Sequence, residues 1–355
     1  MRVFNSTLCA SVAVAFLAGC SGNLAGSNNS MPVAGADLQM RPESVYGDVA
    51  PPRTVQVLHS LVPDGVSPAK KKKLPKTGIY VSQFYGTDIL GYPINDKGNK
   101  KPICTVQGVL DVNDVAVDGK GNLIDPDGGS QYVIIYKGPT MCTGKQIGLI
   151  ADTIGQAADA TSPDAATSTI AVSQLADTGS APGSVALCTL AAGCTTNLTN
   201  PKIYHAGGVA MSPGGDCWND AKTSASGGAA LIYWKGCKGS GAVATGFKST
   251  YYGGIELDNS GNLVVIDDMA MTTTVYSGCN PKCKVIGGPF PLKGESFFGK
   301  LTQDNSEYIA VDRTDGLVDV YSYSTKALKF MYSFDSGLSA AEKPDGIGIN
   351  PRSKY

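Results

Sequence analysis

Six polar side chains are the candidates for chemistry in this chain of 355 residues, because each stands just before or within an apolar segment that recurs along the sequence. They are Asp114, Asp159, His205, Glu295, Lys300 and Asp345. Carboxylates gathered at one opening could hold Ca²⁺ through oxygen ligands. With Lys300 or His205, they could instead activate a water molecule. Since polar residues at such positions often only cap turns, the pattern favours a binding site, and catalysis is the alternative.

The segments that must position these side chains are predicted to be short strands joined by tight turns. Residues 114–123 read DVAVDGKGNL, and residues 254–263 read GIELDNSGNL. Each string is an apolar strand followed by an Asp-x-x-Gly-Asn sequence and the start of a second strand. This sequence is typical of a hairpin turn. A calcium loop is the alternative, but the further alternate carboxylates that it needs are missing.

Weaker copies of the same unit recur along the chain and reveal a period. The polar residues that end the copies are Asp118, Ser162, Ser212, Asp258, Asp304 and Asn350. Their intervals are 44, 50, 46, 46 and 46 residues. A repeat of about 45 residues with four strands is the signature of a propeller blade. The sequence therefore predicts an all-β fold, a six-bladed β-propeller of four-stranded antiparallel blades.

The two ends of the repeat array are complementary. The last copy, residues 344–350, has too little chain after it for three further strands. The first blade, which starts at Gly78, lacks an inner strand. We therefore expect the C-terminal strand to complete the N-terminal blade, which leaves no open edge in the ring. The predicted propeller domain is 77–355.

Composition excludes one class of partner. The chain has 29 basic and 30 acidic residues, and only 17% of its residues are charged. No strong field for nucleic acid follows from this balance. Low charge together with 44 glycines suits a β protein rich in turns.

The repeated strings resemble those of the NHL and gluconolactonase-like propellers, whose blades carry a Gly-Ile-Ala-Val-Asp-x-x-Gly-Asn-Leu motif. The resemblance covers about residues 78–351 and is best in the two strings quoted above. It implies the fold, and the scaffold hosts both enzymes and binding modules. Gluconolactonase-like enzymes hold a divalent metal through Glu, Asn and Asp on separate blades. No matching glutamate opens the first blade here, so a metal-dependent hydrolase or lactonase is the alternative function.

The N-terminus carries a second resemblance. Residues 17–20 read LAGC after the apolar run 12–17 and the basic Arg2. This string resembles the lipobox of bacterial lipoproteins, which implies a signal peptide over 1–19 and a lipid (palmitate) on Cys20. An ordinary secretory signal is the alternative. Ser21 favours the outer membrane or cell surface by the same resemblance. Residues 20–76 are rich in Ser, Asn, Gly and Pro and are predicted to be a flexible tether.

Export places the remaining cysteines in an oxidising compartment, where an even number predicts disulfides. Cys188 with Cys194, and Cys279 with Cys283, are close enough in sequence to clip one hairpin each. Cys217 and Cys237 fall on neighbouring predicted strands. Cys104 and Cys142 remain by subtraction. Zinc is the alternative, but it would want histidines or a Cys-x₂-Cys start.

Function is the least specified property. The sequence favours a lipid-anchored envelope propeller that binds a ligand or an envelope partner, rather than an enzyme. A structural role in envelope assembly is a further alternative. Tyr251-Tyr252 and Phe297-Phe298 directly precede inner strands. They are predicted to lie at the channel mouth or to fill wedges between blades.

Overall fold

The computed structural model describes residues 74–94, 97, 99, 101–109, 112–177 and 182–354. The predicted signal peptide, Cys20 and the tether up to residue 73 lie outside this part. Within it, no helix is both long enough and apolar enough to cross a membrane. Pro75 accepts a hydrogen bond from the N–H of Met141 at 2.9 Å. The chain therefore contacts the propeller two residues before the predicted domain start.

The described residues form six four-stranded antiparallel sheets, as the repeat predicted. The first blade consists of β1 (Gly78–Gln83), β2 (Asp88–Pro93), β3 (Cys104–Gln107) and β24 (Pro344–Asn350). The second blade consists of β4 (Ala116–Val117), β5 (Leu123–Asp127), β6 (Tyr132–Tyr136) and β7 (Gln146–Ala151). The third blade consists of β8 (Gly155–Thr161), β9 (Ile170–Asp177), β10 (Ser184–Thr189) and β11 (Gly193–Leu198).

The other three blades repeat this order. The fourth blade consists of β12 (His205–Met211), β13 (Cys217–Ser224), β14 (Gly227–Trp234) and β15 (Ala242–Val243), with a 3₁₀ helix at Lys235–Cys237. The fifth blade consists of β16 (Ile255–Leu257), β17 (Leu263–Asp267), β18 (Thr272–Ser277) and β19 (Lys284–Pro291). The sixth blade consists of β20 (Gly299–Leu301), β21 (Glu307–Asp312), β22 (Leu317–Ser324) and β23 (Ala327–Phe334). First strands such as β8 and β12 are buried along nearly their whole length, whereas last strands such as β19 and β23 are half-buried or exposed at nearly every position.

The C-terminal strand closes the ring, as predicted. β24 pairs antiparallel with β1, with Ile349 opposite Ile79. Gly346 in β24 allows this strand to lie against the second blade, because an added Cβ there would be 2.3 Å from the Cα of Asp114. The first blade is therefore built from both ends of the domain, and its inner strand contacts the next blade directly.

The hydrophobic core is divided into clusters that each join two neighbouring blades. Ile135 of the second blade packs in one cluster with Val172 of the third. Trp218 of the fourth blade packs with Val265 of the fifth. The first and sixth blades meet through Tyr92 and Phe334, whose ring centroids are 5.0 Å apart. Most of the apolar burial that stabilises the ring thus lies between blades.

Four disulfides link the cysteines in the pairs that the sequence suggested. They are Cys104–Cys142, Cys188–Cys194, Cys217–Cys237 and Cys279–Cys283. Three of them lie within single blades, and Cys104–Cys142 joins the outer strand of the first blade to the second. The zinc alternative is not needed to account for these eight residues.

The two Asp-x-x-Gly-Asn sequences form hairpin turns with one shared hydrogen-bonding pattern. Asp118 Oδ1 accepts the N–H of Asn122 at 2.8 Å, and its Oδ2 accepts the Asn122 side-chain amide at 2.8 Å. Asp258 and Asn262 repeat both bonds at 2.9 Å. Each carboxylate is therefore occupied by its own turn, and all such turns lie at the end of the channel opposite to the starts of the inner strands.

Candidate functional site

Lys300 lies at the centre of the channel, among three carboxylates from other blades. Its Nζ is 3.0 Å from Asp114 Oδ2, 3.5 Å from Asp159 Oδ1 and 3.8 Å from Glu256 Oε2. β20 carries Lys300, β8 carries Asp159 and β16 carries Glu256, while Asp114 precedes β4. The inner strands of four blades thus bring one cation and three anions together. We call these four residues the central cluster.

The remaining two blades join the central cluster through their backbones. Asp114 Oδ1 accepts the N–H of Ile347 in β24 at 2.8 Å. Asp159 Oδ2 accepts the N–H of Val209 in β12 at 2.8 Å. The inner strands of all six blades therefore meet in one network of ion pairs and hydrogen bonds.

Burial and charge act in opposite directions on the central cluster. Burial raises the pKa of Asp114 well above its usual range, although Lys300 acts against this shift. Burial also raises the pKa of Glu256. Burial would lower the pKa of Lys300, but the three carboxylates outweigh it and raise that pKa above its ordinary value. Lys300 is therefore a permanent cation and cannot serve as a general base near neutral pH.

Aromatic rings cover the central cluster. Lys300 Nζ lies 5.9 Å from the ring centroid of Phe298, which is fully buried. Phe298 packs edge-on against Phe297, and Phe297 packs edge-on against Tyr252, with centroids 4.9 and 5.1 Å apart. Both predicted locations of these aromatics are thus realised together: they fill space between blades and lie beside the channel.

A second charged group lies where the inner strands begin, and we call this end of the channel the mouth. Arg313 follows β21, and its Nε is 3.2 Å from Asp345 Oδ1 of β24. Its Nη1 is 3.4 Å from Glu295 Oε1. The Arg313 side chain is 3% exposed, whereas that of Glu295 is 47% exposed, so the group extends from the interior to solvent.

Asp268 and Tyr252 complete the mouth. Burial, with the negative charges of Glu295 and Asp345, raises the pKa of Asp268 to about 8, and Arg313 acts against them. Burial raises the pKa of Asp345 to about 6, although Arg313 again lowers it. Asp268 Oδ1 and the Tyr252 hydroxyl are buried and have no hydrogen-bond partner among the described residues. The mouth therefore holds polar atoms that a ligand could satisfy.

The six side chains predicted from the sequence do not form one site. Asp114, Asp159 and Lys300 belong to the central cluster. Glu295 and Asp345 belong to the mouth. His205, at the start of β12, makes no ion pair with either group in the described chain and stacks on Tyr204, with centroids 4.5 Å apart. Burial, with the nearby positive charge of Lys222, lowers the pKa of His205 to about 4. It is therefore neutral at pH 7.

The donor set does not fit a calcium ion in the central cluster. The ammonium of Lys300 lies where the three carboxylates converge, which is the position that a cation would occupy. Across the described part of the chain, no group of three or more His, Cys, Asp or Glu side chains is arranged to hold a metal. The calcium expectation at the mouth stays a prediction that metal-binding measurements can test.

Two cavities lie on the other side of the central cluster, near the turns. A small one of about 20 Å³ is lined by Glu256, Lys300 and Arg352, which is enough space for one water molecule. A larger one of about 290 Å³ lies between the turns and residues 351–354. Ser353 donates a hydrogen bond to Glu256 Oε1 at 3.0 Å, so the C-terminal segment crosses this end of the channel.

Three functional side chains were not predicted as site residues, namely Glu256, Asp268 and Arg313. A signal for the last two exists in the repeat. Asp267 and Asp312 end corresponding strands, and each uses Oδ1 to accept backbone N–H groups of the turn that follows. The next residue, Asp268 or Arg313, then reaches the mouth. Aligning the second strands of the blades would have found both.

Comparisons with known proteins support the fold alone. No protein-family model matches the chain, and no curated protein matches it in sequence. A Bacteroides caccae protein of unknown function has 11% identity and a TM-score of 0.55, over 77% of this chain and 98% of that one. A periplasmic gluconolactonase of Pseudomonas aeruginosa has 10% identity and a TM-score of 0.50, over 74% and 97% of the two chains. A Xanthomonas campestris gluconolactonase has 16% identity and a TM-score of 0.49, over 66% and 79%.

The structural neighbours of this chain thus include gluconolactonase-like propellers. The fold and the site define the chain as a six-bladed β-propeller with a filled channel and a charged mouth. At these identities the likeness transfers no activity.

Proposed function

We propose that the protein is a lipid-anchored propeller of the cell envelope that binds a ligand or an envelope partner at its mouth. The observation that carries this proposal is the contrast between the two charged groups. The central cluster is closed by ion pairs and covered by Phe298, whereas the mouth reaches solvent through Glu295 and retains unpartnered polar atoms.

Binding is a better account than turnover for a physical reason. A hydrolase needs a base that can change protonation state near the substrate, or a metal that activates water. Lys300 is held as a cation by three carboxylates, and His205 packs against Tyr204 beside the positive charge of Lys222. For the lactonase alternative, Asp268 is a group that titrates near neutral pH, but no set of residues arranged to hold a metal accompanies it in the described chain.

The envelope anchor rests on residues 17–20, which lie outside the described residues. Disulfide formation supports an exported location, since such bonds persist in oxidising compartments. Cells grown with radioactive palmitate should label the protein, and a Cys20→Ala variant should carry no label. Cys9→Ala is the matched control, since Cys9 lies in the segment that would be removed. Equal labelling of wild type and Cys20→Ala would contradict the anchor.

Ligand capture tests the mouth. The full-length protein, purified from its own envelope, should carry a bound molecule that native mass spectrometry detects. Tyr251 packs against Tyr252, with ring centroids 4.9 Å apart, so Glu295→Gln and Tyr251→Ala both alter the mouth and should reduce its occupancy at least fivefold. Lys354→Gln alters an exposed residue beside the cavity at the opposite end of the channel and should leave occupancy unchanged. Equal occupancy in all variants would contradict a binding site at the mouth.

A further inference from the structure

The ion pairs of the mouth join two carboxylates to one guanidinium. Asp345 and Glu295 both pair with the single guanidinium of Arg313. Asp268 adds a third carboxyl group, and its pKa responds to the charges of Glu295, Asp345 and Arg313. Beneath them, the central cluster also sets three carboxylates against one ammonium. A cationic group placed beside Glu295 and Asp268 would supply the partner that Arg313 alone does not.

Asp268 offers the atom that such a cation would contact. The residue is 8% exposed, and its Oδ1 has no hydrogen-bond partner among the described residues. A buried acceptor without a partner destabilises the structure, and an incoming N–H donor would satisfy it. A donor that is also positively charged gains further, since charge-assisted hydrogen bonds are roughly twice as strong as neutral ones.

Three cationic side chains of the protein lie over aromatic rings around the mouth. Lys222 Nζ lies 5.4 Å from the Tyr251 ring centroid, and Lys343 Nζ lies 5.9 Å from that of Tyr85. The guanidinium carbon of Arg313 lies 5.8 Å from the Phe84 ring centroid. Ring faces attract cations through their quadrupole. The same surroundings that orient these three side chains suit a cationic ligand.

The rim of the mouth supplies apolar surface for the rest of such a ligand. Met269 directly follows Asp268 and Met271 comes two residues later, and the two side chains are 42% and 44% exposed. Tyr85 is 48% exposed on the opposite side of Arg313, after β1. Methionine side chains adapt to ligands of different shape because they are flexible and polarizable. An alkyl chain attached to the cationic group would thus be covered by these side chains.

We propose that the mouth binds an organic cation, an alkyl ammonium or guanidinium group, with Asp268 and Glu295 as its acceptors. This inference rests on the proposed binding function and names the ligand class of the same site. Two sources share this chemistry, a small polyamine and a basic side chain of a peptide. The group enters beside Glu295, pairs with Asp268 and leaves the Arg313–Asp345 pair intact.

Calorimetric titration tests the proposal with n-butylammonium and n-butylguanidinium as probes, and n-butanol and butyrate as controls. The cations should bind saturably to the full-length protein, and the controls should not. Asp268→Asn should weaken cation binding at least tenfold. Glu307→Gln, at the other end of the strand that precedes Arg313, should leave it unchanged. Spermidine represents the polyamine and acetyl-lysine amide represents the basic side chain of a peptide. The one that binds more tightly identifies the source.

Proton release provides a second readout. Asp268 faces Glu295, Asp267 and Asp345 as well as Arg313, and its raised pKa means that it is partly protonated at pH 7. A bound cation lowers that pKa, so wild-type binding should release protons into the buffer, and Asp268→Asn should not. Release is measured from the heats in buffers of different ionisation enthalpy.

Failure of this inference can be told apart from failure of the binding function. A co-purified neutral or anionic ligand that is lost in Glu295→Gln would support the mouth as a binding site but contradict its specificity for an organic cation. The mouth would be a metal site if it bound Ca²⁺ saturably, if Asp268→Asn abolished that binding, and if neither organic cation bound. This result would also contradict the organic-cation proposal. Cation binding that survives Asp268→Asn unchanged would also contradict it.

Discussion

Lys300 and Asp114 form the shortest salt bridge among the described residues, with Nζ and Oδ2 3.0 Å apart. The pair joins the sixth blade to the second across the channel. Because Asp114 also accepts the N–H of Ile347, the same carboxylate holds the C-terminal strand of the first blade. The pairing of β24 with β1 closes the ring within the first blade, and the inner strands are also tied together across the channel.

The first prediction concerns the cation of this network. Lys300→Met should lower the free energy of unfolding by about 3–5 kcal/mol, because it leaves buried carboxylates without a counter-charge. Lys329→Met is the matched control at an exposed position in β23 and should change stability by less than about 0.5 kcal/mol. Chemical denaturation monitored by fluorescence measures both. A Lys300→Met variant as stable as wild type would show that the network contributes little.

The second prediction concerns pH. The pKa of Asp268 is about 8 in the folded protein and near 4 when unfolded. Between these values the folded state binds more protons at this residue, so the contribution of Asp268 to stability is greatest below about pH 4 and is lost as pH rises towards 8.

Asp268→Asn should remove this loss, and the variant should therefore melt at a higher temperature than wild type at pH 8. The difference should vanish near pH 4. Melting curves from pH 4 to 9 check it, and Lys354→Gln, at an exposed position at the opposite end of the channel, should follow the wild-type profile. A variant that is less stable than wild type at pH 8 would contradict a raised pKa at Asp268.

The third prediction concerns ring closure. Deleting residues 344–355 removes β24 and leaves β1 with an open edge, so the domain should lose its cooperative melting transition or melt far below wild type. Deleting only residues 354–355 spares β24 and should cause little change. Calorimetry of both truncated chains measures these effects. If the chain that lacks residues 344–355 melted at the same temperature as the full-length protein, ring closure by β24 would be refuted.

The fourth prediction ranks the disulfides by the chain that each encloses. Cys104–Cys142 spans 38 residues, Cys217–Cys237 spans 20, and Cys279–Cys283 spans 4. Loop-closure entropy gives about 4, 3 and 2 kcal/mol for these three bonds. Replacing each pair by alanine should destabilise the protein in that order in urea. An inverted order would show that packing around the sulfurs outweighs the entropy of the unfolded chain.

The fold could be predicted because its information is local and repeated. The Asp118–Asn122 and Asp258–Asn262 turns use identical hydrogen bonds, so they appear as identical strings in the sequence. Ring closure by β24 followed from counting strands at the two ends. Both inferences need only the chain order, which the sequence carries directly.

The site was less predictable because its contacts are long-range. Lys300 and Asp114 are 186 residues apart, and nothing in either local sequence says which inner-strand residues face the channel at the same depth. The six candidates therefore were predicted as one group, whereas depth separates them into the central cluster, the mouth and His205. The direction of the Glu256 side chain could not be predicted. In a strand of three residues, alternation alone does not show whether a side chain faces the channel or the interior of the blade.

The most direct test of the mouth as the binding site is hydrogen–deuterium exchange on the full-length protein, with and without its co-purified ligand or a saturating cationic probe. Protection should be confined to the segments that build the mouth, around Tyr251, Asp268, Glu295 and Arg313. Protection at the opposite end of the channel instead, in the turns 118–122 and 258–262 and in residues 351–354, would contradict the account.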